Sequence, residues 1–229
     1  MNNGGLKTDS VITLSKYCQI PADKSQQINN PQGRARPVKP PRIPPMVTDI
    51  IQTALASLDG MEFAELISCP LCGGPVQGHD SKKKKFAVLR EQTGERIITV
   101  RVKRFYCGRC GNLCYADQPF YPDTRIGSPV IDLFSSLSAT MPPSRAARVI
   151  DTMGIVVDRT TWRNYAGLPF PIIPVVDVFG MRLPLCVMRL SDIAVTSGES
   201  GHADPADVLA ACGYPSRSKA TTGTSREIE

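Results

Sequence analysis

Two short motifs constrain this chain more than anything else in it: Cys69-Pro-Leu-Cys72-Gly-Gly and Tyr106-Cys107-Gly-Arg-Cys110-Gly, with 34 residues between Cys72 and Cys107. Each motif places two thiols on one tight turn, and two such turns supply the four sulfurs of a tetrahedral Zn²⁺ site. The glycine after each second cysteine lets the backbone turn with φ > 0, which a β-carbon resists. The spacing therefore predicts a zinc ribbon in which Cys69, Cys72, Cys107 and Cys110 hold one structural Zn²⁺. Disulfides are the competing use of such pairs. The start of the chain, Met1-Asn-Asn-Gly-Gly, has no basic segment followed by an apolar run, so a secretory signal is not expected and metal-binding thiols are favoured. Cys114 and His79 are near enough in sequence to replace a ligand, but the four-sulfur set is complete without them. Cys18, Cys186 and Cys212 stand alone and read as reduced thiols.

Between the two knuckles the pattern predicts a long β-hairpin. Phe86–Glu91 and Arg96–Tyr106 flank Gln92-Thr-Gly-Glu95, a turn with glycine in it. In the second strand Val100, Val102, Arg104 and Tyr106 share one face and Arg101, Lys103 and Phe105 the other. Residues 81–114 carry ten basic side chains, among them Lys82, Lys83, Lys84, Lys85, Arg101, Lys103 and Arg104, against two acidic ones. That local net of +8 exceeds the +6 of the whole chain, so the rest is slightly acidic. A lysine run alone is usually a solvated loop. On a hairpin beside a zinc ribbon it is better explained as a phosphate-facing surface, whose contacts would release counterions and make binding salt-dependent.

The flanks read differently. Residues 1–46 end in a proline-dense stretch with Arg34, Arg36, Lys39 and Arg42, expected to be a disordered, solvated basic tail. A helix is expected within 47–66, capped by Thr48 and stopped by Gly60, with Ile51, Ala54, Leu55 and Leu58 on one face. It would pack on the ribbon (67–118) or on a partner subunit, which leaves a homodimer open. Residues 126–167 then have a helix-turn-helix rhythm. One helix runs from about Pro129 to Ser138 with Ser128 as its cap. A second runs from Arg145 to Met153 after Ser144, and a third from Arg159 to Ala166 after Asp158. Arg159, Thr160, Arg163 and Asn164 lie on the third, the candidate recognition helix, where they could bond phosphates or base edges. Trp162 and Tyr165 are expected to pack it onto its neighbours. A generic three-helix bundle is the alternative for this segment.

Beyond Gly167, Phe170–Val176 and Val178–Leu190 read as one or two strands, 197–205 as a loop, and Pro205–Cys212 as a short helix capped by Asp204 and ended by Gly213. Residues 168–215 thus read as a short strand and helix remnant, and 216–229 as a disordered tail. The apolar run Leu168–Met181 is too short, and too interrupted by prolines and Asp177, to span a bilayer. The expected fold class is α+β: a small zinc ribbon with a β-hairpin insertion, then an α-helical helix-turn-helix, between disordered tails.

These residues carry a family resemblance. Cys69-Pro-x-Cys72-Gly, the basic β insertion and Phe105-Tyr-Cys-x-x-Cys110-Gly precede Ser144-Arg-Ala-Ala-Arg-Val-Ile-Asp-x-Met-Gly-Ile155 and Arg159-Thr-Thr-Trp-Arg163. Over about residues 66–166 the chain resembles the N-terminal region of prokaryotic, particularly archaeal-type, insertion-sequence transposases. The resemblance implies binding to double-stranded DNA, at the terminal inverted repeats of a mobile element, and a cytoplasmic, nucleoid-associated location. In that family a downstream RNase H-like domain uses three carboxylates and two metal ions to cut DNA. Only seven acidic residues follow Ala166, and Asp177 alone ends a strand-like run, so no catalytic residue is assigned. A stand-alone transcription regulator, or a zinc-stabilised module that meets RNA or an acidic protein, would use the same parts. No Walker loop, Gly-x-Ser-x-Gly or His-Glu-x-x-His signature is present.

Overall fold

The computed structural model describes residues 43–200 and 203–214. The expectations for the tails before residue 43 and after residue 214, and for Cys18, lie outside these residues. Within them the chain is a mixed α+β fold of six helices and six strands.

Helix α1 (Pro45–Ala56) starts earlier than Thr48 and has no side-chain cap. Pro45 opens it instead: a proline in the first turn lacks only an N–H that no intrahelical carbonyl would accept, and its φ is already helical. Thr48 is therefore interior to the helix. Val47, Ile51, Ala54 and Leu55 form its buried face. Gly60 does adopt a left-handed φ of 80°, after a turn, and leads into the two-residue strand β1 (Glu62–Phe63).

The hairpin is much longer than its apolar pattern indicates. Strands β2 (Val76–Glu91) and β3 (Gly94–Cys107) pair antiparallel along their whole lengths, with irregularities at Gly78/Asp80 and Lys85/Ala87. The lysine run lies inside β2, because Val100, Arg101 and Val102 of β3 supply the ladder partners of Lys84, Lys83 and Lys82. Parallel β1 and antiparallel β4 (Leu113–Tyr115) both pair with β3. Burial along β3 changes parity: Ile98, Val100 and Val102 are covered, then Phe105 and Cys107. The first set and Phe105 belong to the main core, and Cys107, past the point where β4 joins, belongs to the small cysteine cluster.

Three helices follow: α2 (Ser128–Ser138), α3 (Pro143–Thr152) and α4 (Arg159–Ala166). The caps of the first two differ from expectation. Gly127 caps α2 and Pro142 caps α3, so Ser128 and Ser144 lie within the helices. At α4 the expectation holds: Asp158 accepts a hydrogen bond from the Thr161 N–H at 2.8 Å. Gly127 cannot be larger, since a β-carbon there would overlap the Phe86 ring, and its N–H donates to the Phe86 carbonyl at 2.8 Å. Phe134 and Trp162 stack with ring centroids 4.3 Å apart and tie α4 to α2.

The last segment corrects the sequence reading most. Only Val175–Val178 (β5) and Met181–Pro184 (β6) are strands, joined as a hairpin. Leu185–Ser200 is a helix, α5, where a strand and then a loop were expected. A continuous apolar run does not distinguish strand from buried helix, and here Cys186, Val187 and Leu190 fall on one side of a helix and are buried. Helix α5 packs against α1. Helix α6 (Pro205–Ala211) has the expected cap, Asp204 accepting from the Ala206 N–H at 2.9 Å. Leu183, Val187, Leu190, Val208 and Leu209 belong to the same buried cluster as α1, the hairpin and α2–α4. The C-terminal segment is thus an integral part of the core.

Candidate metal centre and basic surfaces

The two knuckles meet. Gly73 and Gly111 take φ of 68° and 71°, as the turns require, and the N–H groups of these glycines donate to the carbonyls of Cys69 and Cys107. The hairpin ladder carries Cys107 to the foot of β2, so the 34-residue insertion closes on itself and brings the second knuckle back to the first. One sulfur from each of Cys69, Cys72, Cys107 and Cys110 lies within 4.8 Å of the other three. Cys69 Sγ is 3.7 Å from Cys110 Sγ, and Cys72 Sγ is 3.5 Å from Cys107 Sγ. A tetrahedron with metal–sulfur bonds of about 2.3 Å has edges of about 3.8 Å, so the four sulfurs are already near the positions that a bound ion would demand. They form a group that can hold a metal ion.

The thiols do not share charge evenly. Burial raises Cys69, but the Leu71 and Cys72 N–H groups, with the thiols of Cys114 and Cys110, outweigh it and bring Cys69 down to about 6. The Gly74 N–H lowers Cys72, yet burial and the neighbouring sulfurs push it up to about 12. Cys110 is lowered, first by the Asn112 N–H and then by the Asn112 side chain, whose Nδ2 donates to its sulfur at 3.4 Å. Four thiols this close cannot all ionise without a cation between them, and the donor set of four sulfurs suits Zn²⁺. His79 is an exposed residue of β2 and is not in the group. Cys114 also lies outside the group, yet it is buried and its sulfur is 3.6 Å from Cys69 Sγ.

The hairpin's basic residues separate into two kinds. Residues directly opposite on an antiparallel ladder share a face. Lys83 stands opposite Arg101, Lys85 opposite Thr99, and Lys103 opposite Ser81. Lys83, Lys85, Arg101 and Lys103 therefore line the face away from Val100 and Val102. Lys82 is also exposed, on the opposite face. Lys84 and Arg104 are engaged within the protein. Lys84 Nζ donates to Gln118 Oε1 at 2.9 Å and sits 4.1 Å from the Phe120 ring centroid, and burial lowers its pKa. Arg104 grips the Asp80 carboxylate through two nitrogens. Neither the lysine–aromatic nor the arginine–carboxylate pairing follows from a linear charge count.

On α4, Arg159, Thr160, Arg163 and Asn164 are all exposed, while Trp162 and Tyr165 are buried. The Tyr165 hydroxyl accepts from the Arg125 N–H at 2.7 Å, which fixes the helix further. A groove of about 600 Å³ runs between α3 and α4, lined by Arg148, Arg159 and Arg163 with Asp151, Ala147 and Trp162. Arg148 carries no signal of its own in the sequence, although it lies in a helix one turn from Asp151 and Thr152.

A seam joins the two basic surfaces. The turn between α3 and α4 hydrogen-bonds to β2: the Arg90 N–H donates to the Gly154 carbonyl at 2.6 Å, and the Val156 N–H to the Val88 carbonyl at 2.9 Å. Arg90 also pairs with Asp151, and Gln52 Nε2 donates to the Met153 carbonyl at 2.8 Å. Gly154, with φ of 79°, leaves room for the Gln52 side chain. No helix among the described residues is long and apolar enough to cross a membrane. Comparison with family models, curated proteins and solved structures gives no match to this chain.

Proposed function

We propose that the chain is a zinc-stabilised protein that binds double-stranded DNA, with a zinc ribbon and a helix-turn-helix as its two arms. The observation that carries the reading is the division of α4. Its aromatic side chains are buried, and its exposed face presents Arg159, Thr160, Arg163 and Asn164 beside the arginine-lined groove of α3. That is the composition a helix needs to bond base edges and phosphates in a major groove. Lys83, Lys85, Arg101 and Lys103 on the outer hairpin face would add sequence-independent phosphate contacts, held at a set distance from α4 by the seam to β2. The four-thiol group would hold one structural Zn²⁺. The resemblance to the DNA-recognition region of insertion-sequence transposases favours terminal inverted repeats as the target. Catalysis is not part of the proposal.

Selection of bound duplexes from a random pool, followed by titration of the selected sequence, tests it. Arg163→Ala should weaken the selected sequence by about 1–3 kcal/mol and leave bulk duplex nearly unaffected. Lys83→Ala with Lys85→Ala should weaken every duplex alike and flatten the log K against log[salt] slope by about 0.9 for each phosphate no longer neutralised. Absence of an enriched sequence, or duplex binding indifferent to Arg163, would overturn the helix-turn-helix reading. Stronger binding to single-stranded RNA than to any duplex would favour the RNA-module alternative.

A further inference from the structure

A fifth thiol, Cys114, stands beside the four that group together, in contact with Cys69. Cys114 is placed by β4, one ladder pair from the end of the strand, with Phe105 opposite it. It is buried with Cys69 and Cys107 in one small cluster, against which Cys72 packs. Its sulfur is 3.6 Å from Cys69 Sγ, against 3.7 Å for Cys110, so each lies at about the edge length of a tetrathiolate tetrahedron from that ligand. The two differ in access: Cys110 is exposed at the ribbon surface and Cys114 is closed off from solvent. Asn112, between them, binds both: its side chain donates to Cys110 Sγ, and its carbonyl lies 3.9 Å from Cys114 Sγ, facing the thiol.

We propose that Cys114 is a reserve ligand of the metal centre, able to complete the site with Cys69, Cys72 and Cys107 when Cys110 is lost or blocked. This rests on the proposed Zn²⁺ site. In the exchange an alkyl halide bonds its carbon to the Cys110 sulfur and loses halide, the resulting neutral thioether leaves the ion, and the Cys114 thiol gives its proton to solvent as its sulfur takes the vacated position. The buried sulfur thereby protects the metal against electrophiles that reach only the surface.

Zinc content and the Co²⁺ spectrum of the full chain decide the matter. Wild type, Cys110→Ser and Cys114→Ser should each retain about one metal per chain, and Co²⁺-loaded Cys110→Ser should keep the sulfur-to-metal charge-transfer intensity of four thiolates. The double variant should bind more weakly than either single one by more than about tenfold. Iodoacetamide on zinc-loaded wild type, which tests the point at the unsubstituted site, should alkylate Cys110 without releasing zinc, whereas in zinc-loaded Cys114→Ser the same modification should release it. A Cys110→Ser protein with a three-sulfur spectrum and the affinity of the double variant, or prompt zinc release from alkylated wild type, would overturn the reserve-ligand role. Wild type without bound metal would instead overturn the zinc reading on which it rests.

Discussion

Around the knuckle sulfurs the buried residues are Cys69, Cys107 and Cys114, with only Leu66, Cys72 and Val76 packed against them. Around α1, α2, α3 and the turn-side half of the hairpin, by contrast, a single cluster gathers Phe63, Phe86, Ile98, Ile131, Ile150, Met153 and many others, several wholly inaccessible. The two ends of one hairpin are therefore held by different physics. The helical end rests on apolar burial, with about 25 cal/mol gained per Å² removed from water. The ribbon end has Ile67 and Leu71 mostly exposed and too little apolar surface covered to offset the entropy of ordering its chain. On the proposed reading, a bound ion makes up that difference at the knuckle end.

Chelation should separate the two ends most clearly. Removing the proposed zinc should melt residues around 66–75 and 106–115, seen as collapse of their amide dispersion, while the α2–α4 and α1–α5 resonances persist. A single cooperative loss of both ends would mean that the ribbon is part of the main folding unit. Next in size, Ile150→Ala, at a fully buried position, should cost about 2–5 kcal/mol in a denaturant titration, whereas Leu71→Ala on the knuckle should stay within about 0.5 kcal/mol. Comparable losses from both would show the knuckle to be packed against something apolar.

The smallest effect concerns Asp132, buried in α2. Burial raises its carboxyl above the ordinary value, only partly opposed by hydrogen bonds from the Tyr121 hydroxyl and the Cys186 thiol. A carboxyl raised on folding costs stability wherever it is ionised in the fold. The cost is present above the folded pKa and fades as pH falls from there towards the unfolded value. Asp132→Asn should therefore gain on wild type at pH 7 relative to pH 4, read as the difference between their unfolding midpoints. A difference independent of pH would mean that the two donors fully compensate the charge.

What the sequence made legible was local. The knuckle glycines, the Asp158 and Asp204 caps and the helix-ending Gly60 and Gly213 each depend on a few neighbouring residues, and the structure has them where the spelling puts them. The helix α5 was not legible, because Leu185–Leu190 is apolar at nearly every position and the choice between strand and helix fell to its packing on α1. Nor could a charge count separate Lys84, folded over Phe120, from Lys83, facing outwards: that division follows from ladder register. Cys114 was visible as a nearby thiol, but only the pairing of β4 with β3 brings its sulfur to Cys69. The seam between the α3–α4 turn and β2 joins residues more than sixty positions apart and leaves no local signature.

That seam also bears on solubility. β2 is an edge strand, and an open edge offers its unpaired amides to any other strand in solution. Its most apolar stretch is Phe86–Leu89, and the turn at Gly154–Val156 closes over the end of it, at Val88–Arg90. Ahead of it stands Lys82–Lys85, four successive positive charges that repel a like strand. Such a charge run disfavours edge-to-edge pairing of two copies whether or not nucleic acid is bound, and replacing all four lysines at once should raise aggregation, read by light scattering, as well as remove charge.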